Sequence, residues 1–143
     1  MLFRSYITLL SEKQSFTIGV FHAIPTSKHP ETEIPYLAKI AQSRSNENMI
    51  FCGDFNCAES NTAFSSLKQL GFSSAMQHQK TTLKAKQKGK DYLASAYDNF
   101  FYKKSKIKIV KTGIIPFNES FTDLKSAKMI SDHLPIYLNF SLN

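Results

Sequence analysis

An α/β layered fold is the class this sequence predicts, on three observations. Short apolar runs of strand length alternate with two stretches of helical period. The order that results is β-β-α-β-α-β-β-(α)-β, which fits layers of helix on sheet better than an all-α or all-β plan. Polar side chains able to handle protons or cations recur where the apolar runs stop. The 143 residues suit a single domain, and a hydrophobic fraction of 42% is enough for a core.

Residues 2–10 and 15–22 read as two strands joined by Ser11-Glu12-Lys13-Gln14. Phe16, Ile18 and Val20 alternate with Thr17 and Gly19, the pattern of a strand with one buried face. The second strand ends at His22, before the proline-punctuated loop from Ala23 to Ser27. A helix is expected from Glu31 or Glu33 to Arg44, with Ile34, Leu37, Ala38, Ile40 and Ala41 on one face. Acids near its start favour the helix dipole. Met49-Ile50-Phe51-Cys52 is short enough for a buried central strand, and Gly53 lets the chain turn sharply as it ends. A second helix is expected over Glu59–Leu70, with Phe64, Leu67 and Leu70 inward and Gly71 as its stop. Beyond it come a short strand near Thr81–Leu83, a lysine-rich loop with Gly89, and strands over Tyr97–Tyr102 and Ile107–Val110. A short helix within Asn118–Ala127 and a last strand over Leu134–Leu142, with Pro135 at its start, complete the chain.

Composition narrows the function classes. No run approaches the roughly 18 apolar residues of a membrane span, and no signal peptide is visible at Met1. The opening directly in a strand raises the expectation of further sequence upstream. Cys52 and Cys57 lack partners at metal-ligand spacing and are expected as free thiols. The net charge is +7, and ten of the 18 basic residues lie between Lys80 and Lys111. Such a stretch attracts a phosphate backbone, and it equally suits a solvated loop and a lysine-protected edge strand.

Asp54 and Asn56 share a side-chain direction if the chain stays extended, which suits Mg²⁺ or a phosphate held by it. On those residues alone, a polar turn is the simpler reading. Further along, His22, Asp98 and Asp132-His133 also sit at strand ends, so a layered sheet can bring all of them to one rim. Two imidazoles, three carboxylates and an amide fit metal-assisted hydrolysis, with carboxylates for the cation and histidines for proton exchange. The chain has no phosphate-binding glycine loop, no Gly-x-Ser-x-Gly elbow and no His-Glu-x-x-His.

Gly53-Asp54-Phe55-Asn56, Ala96-Tyr97-Asp98-Asn99 and Ser131-Asp132-His133-Leu134-Pro135 resemble the endonuclease/exonuclease/phosphatase superfamily. Val20-Phe21-His22-Ala23-Ile24-Pro25 resembles its deoxyribonuclease I branch. The order and spacing of these motifs match only the C-terminal half of that family's domain, so residues 1–143 are expected to form one partial domain. The resemblance implies half of a two-sheet sandwich with helices on the outer face. It also implies phosphodiester hydrolysis with Mg²⁺, Mn²⁺ or Ca²⁺. Asp54 and Asn56 would place the nucleophile and the phosphate, and Asp132 would join Asp54 at the metal. His133 would act at the scissile phosphate with Asp98 orienting it, and His22 would be the second phosphate-site histidine. Arg4, Lys84, Lys86, Lys88 and Lys90 are the candidate nucleic-acid contacts.

Departures from the pattern matter too. The family's early Asn, metal-binding Glu and the carboxylate behind its second histidine have no counterpart here. Asn99 stands where the mammalian enzymes carry an arginine, and Ser95 where they carry a disulfide cysteine. The resulting expectation is a deoxyribonuclease I-like endonuclease, weak or inactive as an isolated half. Its exposed inner sheet face would pair with a complementary half or self-associate. The alternatives are a non-catalytic module binding nucleic acid or a complementary chain, and a phosphatase or sphingomyelinase-type relative. Intact relatives of that family are often secreted, and no signal peptide is visible in this chain.

Overall fold

The computed structural model describes residues 3–10, 14–88 and 91–143, with the side chains of 3, 4, 87 and 88 also left out. The strands are β1 (Phe3–Leu10), β2 (Ser15–His22), β3 (Met49–Asp54), β4 (Phe72–Ser74), β5 (Leu83–Lys88), β6 (Asp91–Leu93), β7 (Asp98–Lys103), β8 (Ile107–Ile114) and β9 (Ile136–Leu142). The helices are α1 (Tyr36–Ser43), α2 (Ser65–Gln69) and α3 (Leu124–Lys128). Five strands form one sheet in the order β1-β2-β3-β7-β4, while β5-β6 and β8-β9 are separate two-stranded sheets. The β2–β3 pair is parallel, with α1 in the crossover, and the other pairs of the large sheet are antiparallel.

Alternation of side chains divides the large sheet into two faces. Phe21, Phe51 and Phe101 point towards the helices and join Phe55, Phe64, Ile34, Leu37 and Leu67 in the main core. Its aromatic rings interlock: Phe64 stacks on Phe101 at 4.4 Å, and Phe55 meets Phe101 edge-on at 5.2 Å. Six of the twelve Phe residues lie in this cluster. The opposite face carries Ile18, Ile50, Cys52 and Phe100, which lie against Ile136, Leu138 and Phe140 of β9. The two sheets thus form a sandwich with helices outside, as the family resemblance implies.

Several elements differ from expectation, each for a local reason. The first helix begins only at Tyr36, because Pro35 occupies its N-cap and Pro30 opens a separate 3₁₀ turn. The second begins as a 3₁₀ turn at Thr62, where the Asn61 side chain accepts from the Ala63 N–H, and continues as α2. Gly71 stops it with a φ of 85°. The described part of the lysine-rich stretch is a strand rather than a loop, since β5 pairs with β6; Gly89 and Lys90 lie outside the described residues. The three-residue β4 was too short to leave a periodic signal. The helix expected within 118–127 is split into a 3₁₀ turn at Phe117–Ser120 and α3, which Asp123 caps by accepting from the Ser126 N–H at 2.8 Å. Among the described residues no helix is long and apolar enough to cross a membrane. Both cysteines are free.

Candidate functional site

The register of the large sheet builds the site. His22 of β2 is paired with Asp54 of β3, and Asp54 is paired with Asp98 of β7. Three polar side chains from three adjacent strands therefore stand in one row at one sheet end, all on the face towards β9. Gly53 makes this possible. Its φ is 135°, and an added Cβ would lie 2.0 Å from the Phe21 carbonyl oxygen.

Just past β3 the chain enters a tight polar turn. Asn56 adopts a left-handed conformation with a φ of 47°. Its backbone N–H donates to Asp54 Oδ1 at 2.8 Å, and its amide nitrogen donates to Asp54 Oδ2 and to the Ala23 carbonyl, both at 3.1 Å. The Thr26 hydroxyl donates to the Asn56 carbonyl at 3.0 Å and lies 3.2 Å from the Tyr97 hydroxyl. Polar bonds therefore fix the Asp54 carboxylate in place rather than leave it on a mobile loop.

His133 arrives from the other side of the sandwich. Residues 131–134 run beside Thr81–Leu83: Leu134 N–H donates to the Thr81 carbonyl, and Leu83 N–H donates to the Asp132 carbonyl, both at 2.8 Å. This docking brings His133 Nδ1 to 2.8 Å from Asp98 Oδ2. A carboxylate only accepts, so Nδ1 carries the proton and Nε2 faces Asp54 Oδ2 at 3.8 Å. His22 Nε2 lies 3.5 Å from the same Asp54 oxygen. His22 is largely exposed at the rim, whereas Asp54, Asp98 and His133 are partly buried.

The electrostatics follow from that packing. Burial pushes the Asp54 carboxyl above its ordinary range, and repulsion from Asp98 adds to this against the pull of the Asn56 N–H and the two imidazoles. The hydrogen bond to Asp98 raises His133 above the usual histidine value, outweighing the burial that opposes charge. Ligand atoms of Asp54, Asp98 and His133 all lie within 4.8 Å of one another, a grouping able to hold a cation. Buried carboxylates repelling each other are the surroundings in which a divalent ion is favoured.

The structure thus brings together His22, Asp54, Asn56, Asp98 and His133. Asp132 is exposed on the same loop, and its carboxylate is not in the three-residue cluster. Asn99 points to the opposite face, where it is buried and accepts from Ser74 Oγ at 2.9 Å and the Met76 N–H at 3.3 Å. Lys84 pairs with Asp91 across the β5–β6 hairpin, and Lys86 is exposed on it. The side chains of Arg4, Lys88 and Lys90 lie outside the described residues.

Sequence reasoning missed Thr81. This fully buried residue donates its hydroxyl to Asp98 Oδ2 at 2.6 Å and accepts from the Asp98 and Tyr97 N–H groups at 3.0 and 3.3 Å. One hydroxyl therefore clamps the carboxylate that orients His133.

Solved structures share this arrangement of strands. The human Nocturnin catalytic domain aligns over 96% of this chain and 52% of its own length, with a TM-score of 0.64 and 20% identity. Zebrafish TDP2 in complex with a single-stranded DNA product aligns over 96% and 62%, with a TM-score of 0.65 and 18% identity. The mannosyl-6-phosphatase of Bacteroides thetaiotaomicron aligns over 91% and 52%, with a TM-score of 0.64 and 16% identity. This is the endonuclease/exonuclease/phosphatase fold. The chain spans about half the length of several of the solved structures it matches. No protein-family model and no curated protein sequence matches it, so the likeness is carried by structure.

Proposed function

We propose that this chain carries part of the active site of a divalent-metal-dependent phosphoester hydrolase, with a deoxyribonuclease I-like endonuclease as the specific activity. The observation that supports it most is the row His22–Asp54–Asp98 meeting His133 from the segment that leads into β9. Asp54 and Asp132 would hold the cation, whose chemistry is to neutralise phosphate charge and make a bound water more acidic. Asp54 and Asn56 orient the attacking water. His133, positioned through Asp98 and Thr81 and with its charged form favoured by Asp98, donates a proton from Nε2 to the leaving oxygen as the phosphorus–oxygen ester bond breaks, while the proton of the attacking water passes to Asp54. His22, at the open rim, meets a phosphate oxygen.

DNA is the favoured substrate because the chain is strongly basic and the zebrafish neighbour holds a DNA product. A phosphatase reading has the Bacteroides neighbour in its support. Alone, the chain is expected to cleave weakly or not at all, because only part of the inner sheet face is covered. The first test is therefore metal binding, read by Mn²⁺ electron paramagnetic resonance. Binding by the wild type that drops at least tenfold in Asp54→Ala supports the proposal, and equal behaviour of the two proteins sinks it. Plasmid nicking, compared with hydrolysis of a phosphomonoester, then separates nuclease from phosphatase. DNA binding that weakens with salt but ignores EDTA would instead favour a non-catalytic module, for which the exposed Lys104, Lys108 and Lys111 speak.

A further inference from the structure

The segment between β8 and β9 builds a second hollow, of about 310 Å³, that shares no residue with the site described above. That size falls at the lower end for small-ligand pockets. Tyr92 of β6 and Leu124 of α3 pack on the core cluster of Leu83, Ala127 and Leu134, and both also line this hollow. Phe121 forms an outer wall: it is 38% exposed, and its ring meets that of Phe117 edge-on at 6.1 Å. Glu119, Thr122 and Asp123 complete an exposed rim. The chain as a whole carries a net charge of +7, yet no lysine, arginine or histidine lines the hollow, and two carboxylates do. Lys128 of α3 reaches instead to the Lys84 carbonyl at 3.4 Å, and Lys84 pairs with Asp91.

The buried member of the lining is Asn118, 9% exposed. The Tyr92 hydroxyl donates to Glu119 Oε1 at 3.2 Å, so its oxygen is left to accept, and the Asn118 side chain hydrogen-bonds to it. Only the amide nitrogen of Asn118 can make that bond. Its Oδ1 is therefore the free end, and it is buried with no hydrogen-bond partner. An orphaned acceptor of this kind carries a desolvation penalty that an incoming donor removes. Glu119 keeps a second carboxylate oxygen for the same purpose. Asp123 is held by the Ser126 N–H and hydroxyl at 2.8 and 3.2 Å, so it contributes negative charge at a fixed place.

We propose that this hollow binds a guanidinium group, the head of an arginine side chain. The lining calls for N–H donors, positive charge and a flat face, and a guanidinium has all three with no acceptor left to satisfy. Two of its donors can lie side by side on Glu119, a third can meet Asn118 Oδ1, and its plane can rest against the Tyr92 or Phe121 ring. A bare divalent ion is served less well. Such an ion takes six or more oxygens, whereas Tyr92, Phe121 and Leu124 offer mostly carbon, and no histidine, cysteine or third carboxylate joins Glu119 and Asp123. A neutral sugar would leave both carboxylates uncompensated, and an ammonium would match the charge but not the flat walls. This inference does not rest on the hydrolase reading.

The probe is N-acetyl-arginine amide, titrated into the isotope-labelled chain and followed by NMR. Amide shifts should gather at Tyr92 and over residues 118–124. N-acetyl-citrulline amide, of the same shape without the charge, should bind at least tenfold more weakly, and so should the lysine analogue. Glu119→Gln keeps an acceptor for the Tyr92 hydroxyl, so its melting midpoint should hold while affinity for the arginine compound falls at least tenfold. Phe121→Ala should remove most of the advantage of the arginine compound over the lysine one. Asp54→Ala should bind as the wild type does, so failure of the hydrolase reading would leave this result standing. Free arginine separates the two sources of such a group. Its α-carboxylate is repelled by Glu119 and Asp123, so preference for the blocked form identifies an arginine within a polypeptide, and preference for the free form identifies the amino acid. Shifts centred on Asp54 and Asp98, equal affinity for the citrulline compound, or equal affinity in Glu119→Gln overturn the proposal. So does saturation of the hollow by Ca²⁺ or glucose where the arginine compound leaves it unmoved.

Discussion

The two faces of the five-stranded sheet are built from similar residues and have different fates. On the helix side, Phe51 and Phe101 are buried among other rings and helix residues, with 1% and 0% exposure. On the inner side, Ile7 and Val20 belong to the same sheet and remain open. Apolar alternation along a strand reports that a face is meant to be covered. It does not report what covers it. In this molecule one face is closed by local sequence, through α1 and α2, and the other only in part by the distant β8–β9 pair.

That contrast can be broken most sharply at Phe101. Phe101→Ala removes a ring that touches both Phe55 and Phe64, and should cost about 3–5 kcal/mol, read as a fall in the urea midpoint. Thr81→Val tests the polar link between the layers. It takes a donor from Asp98 and an acceptor from two backbone N–H groups, and should cost about 1–3 kcal/mol. The pH response probes the same link. Because His133 has a raised pKa in the fold, its stabilising contribution is fully present below about pH 6.5 and is lost as pH rises through the raised value. Asp98→Asn should bring the His133 titration, followed by NMR, back down towards the ordinary value. The smallest effect is expected at Ile7. Ile7→Ser should change stability by no more than about 0.5 kcal/mol, because half the side chain is already in water. A cost near that of Phe101→Ala would show that the inner face is closed in solution and erase the comparison.

Legibility in the sequence followed the same division. Asp54 with Asn56, and Asp132 with His133, are short-range patterns at strand ends, and the row through His22 and Asp98 needed only the right strand order. Thr81 was invisible because its meaning lies 17 residues away, in a carboxylate it meets only after the chain has folded. The β5 strand was misread because Leu83-Lys84-Ala85-Lys86 has the composition of a solvated loop. Its pairing with β6, not burial, makes it a strand. Pro35 also delays α1 by several residues; of the expected face Ile34, Leu37, Ala38, Ile40 and Ala41, the helix buries Leu37, Ala38 and Ala41, while Ile34 is buried ahead of it and Ile40 only partly. The long-range coverage of the inner face had no local signature at all.

Cys52 gives the seam between the two sheets a built-in clock. Its thiol is half-buried on the inner side of β3, where burial holds the thiol pKa above the usual value and slows alkylation without preventing it. Cys57, buried on the helix side, serves as the internal standard. The ratio of the two labelling rates at one pH therefore reports, without any mutation, how tightly the β8–β9 pair stays closed over the sheet.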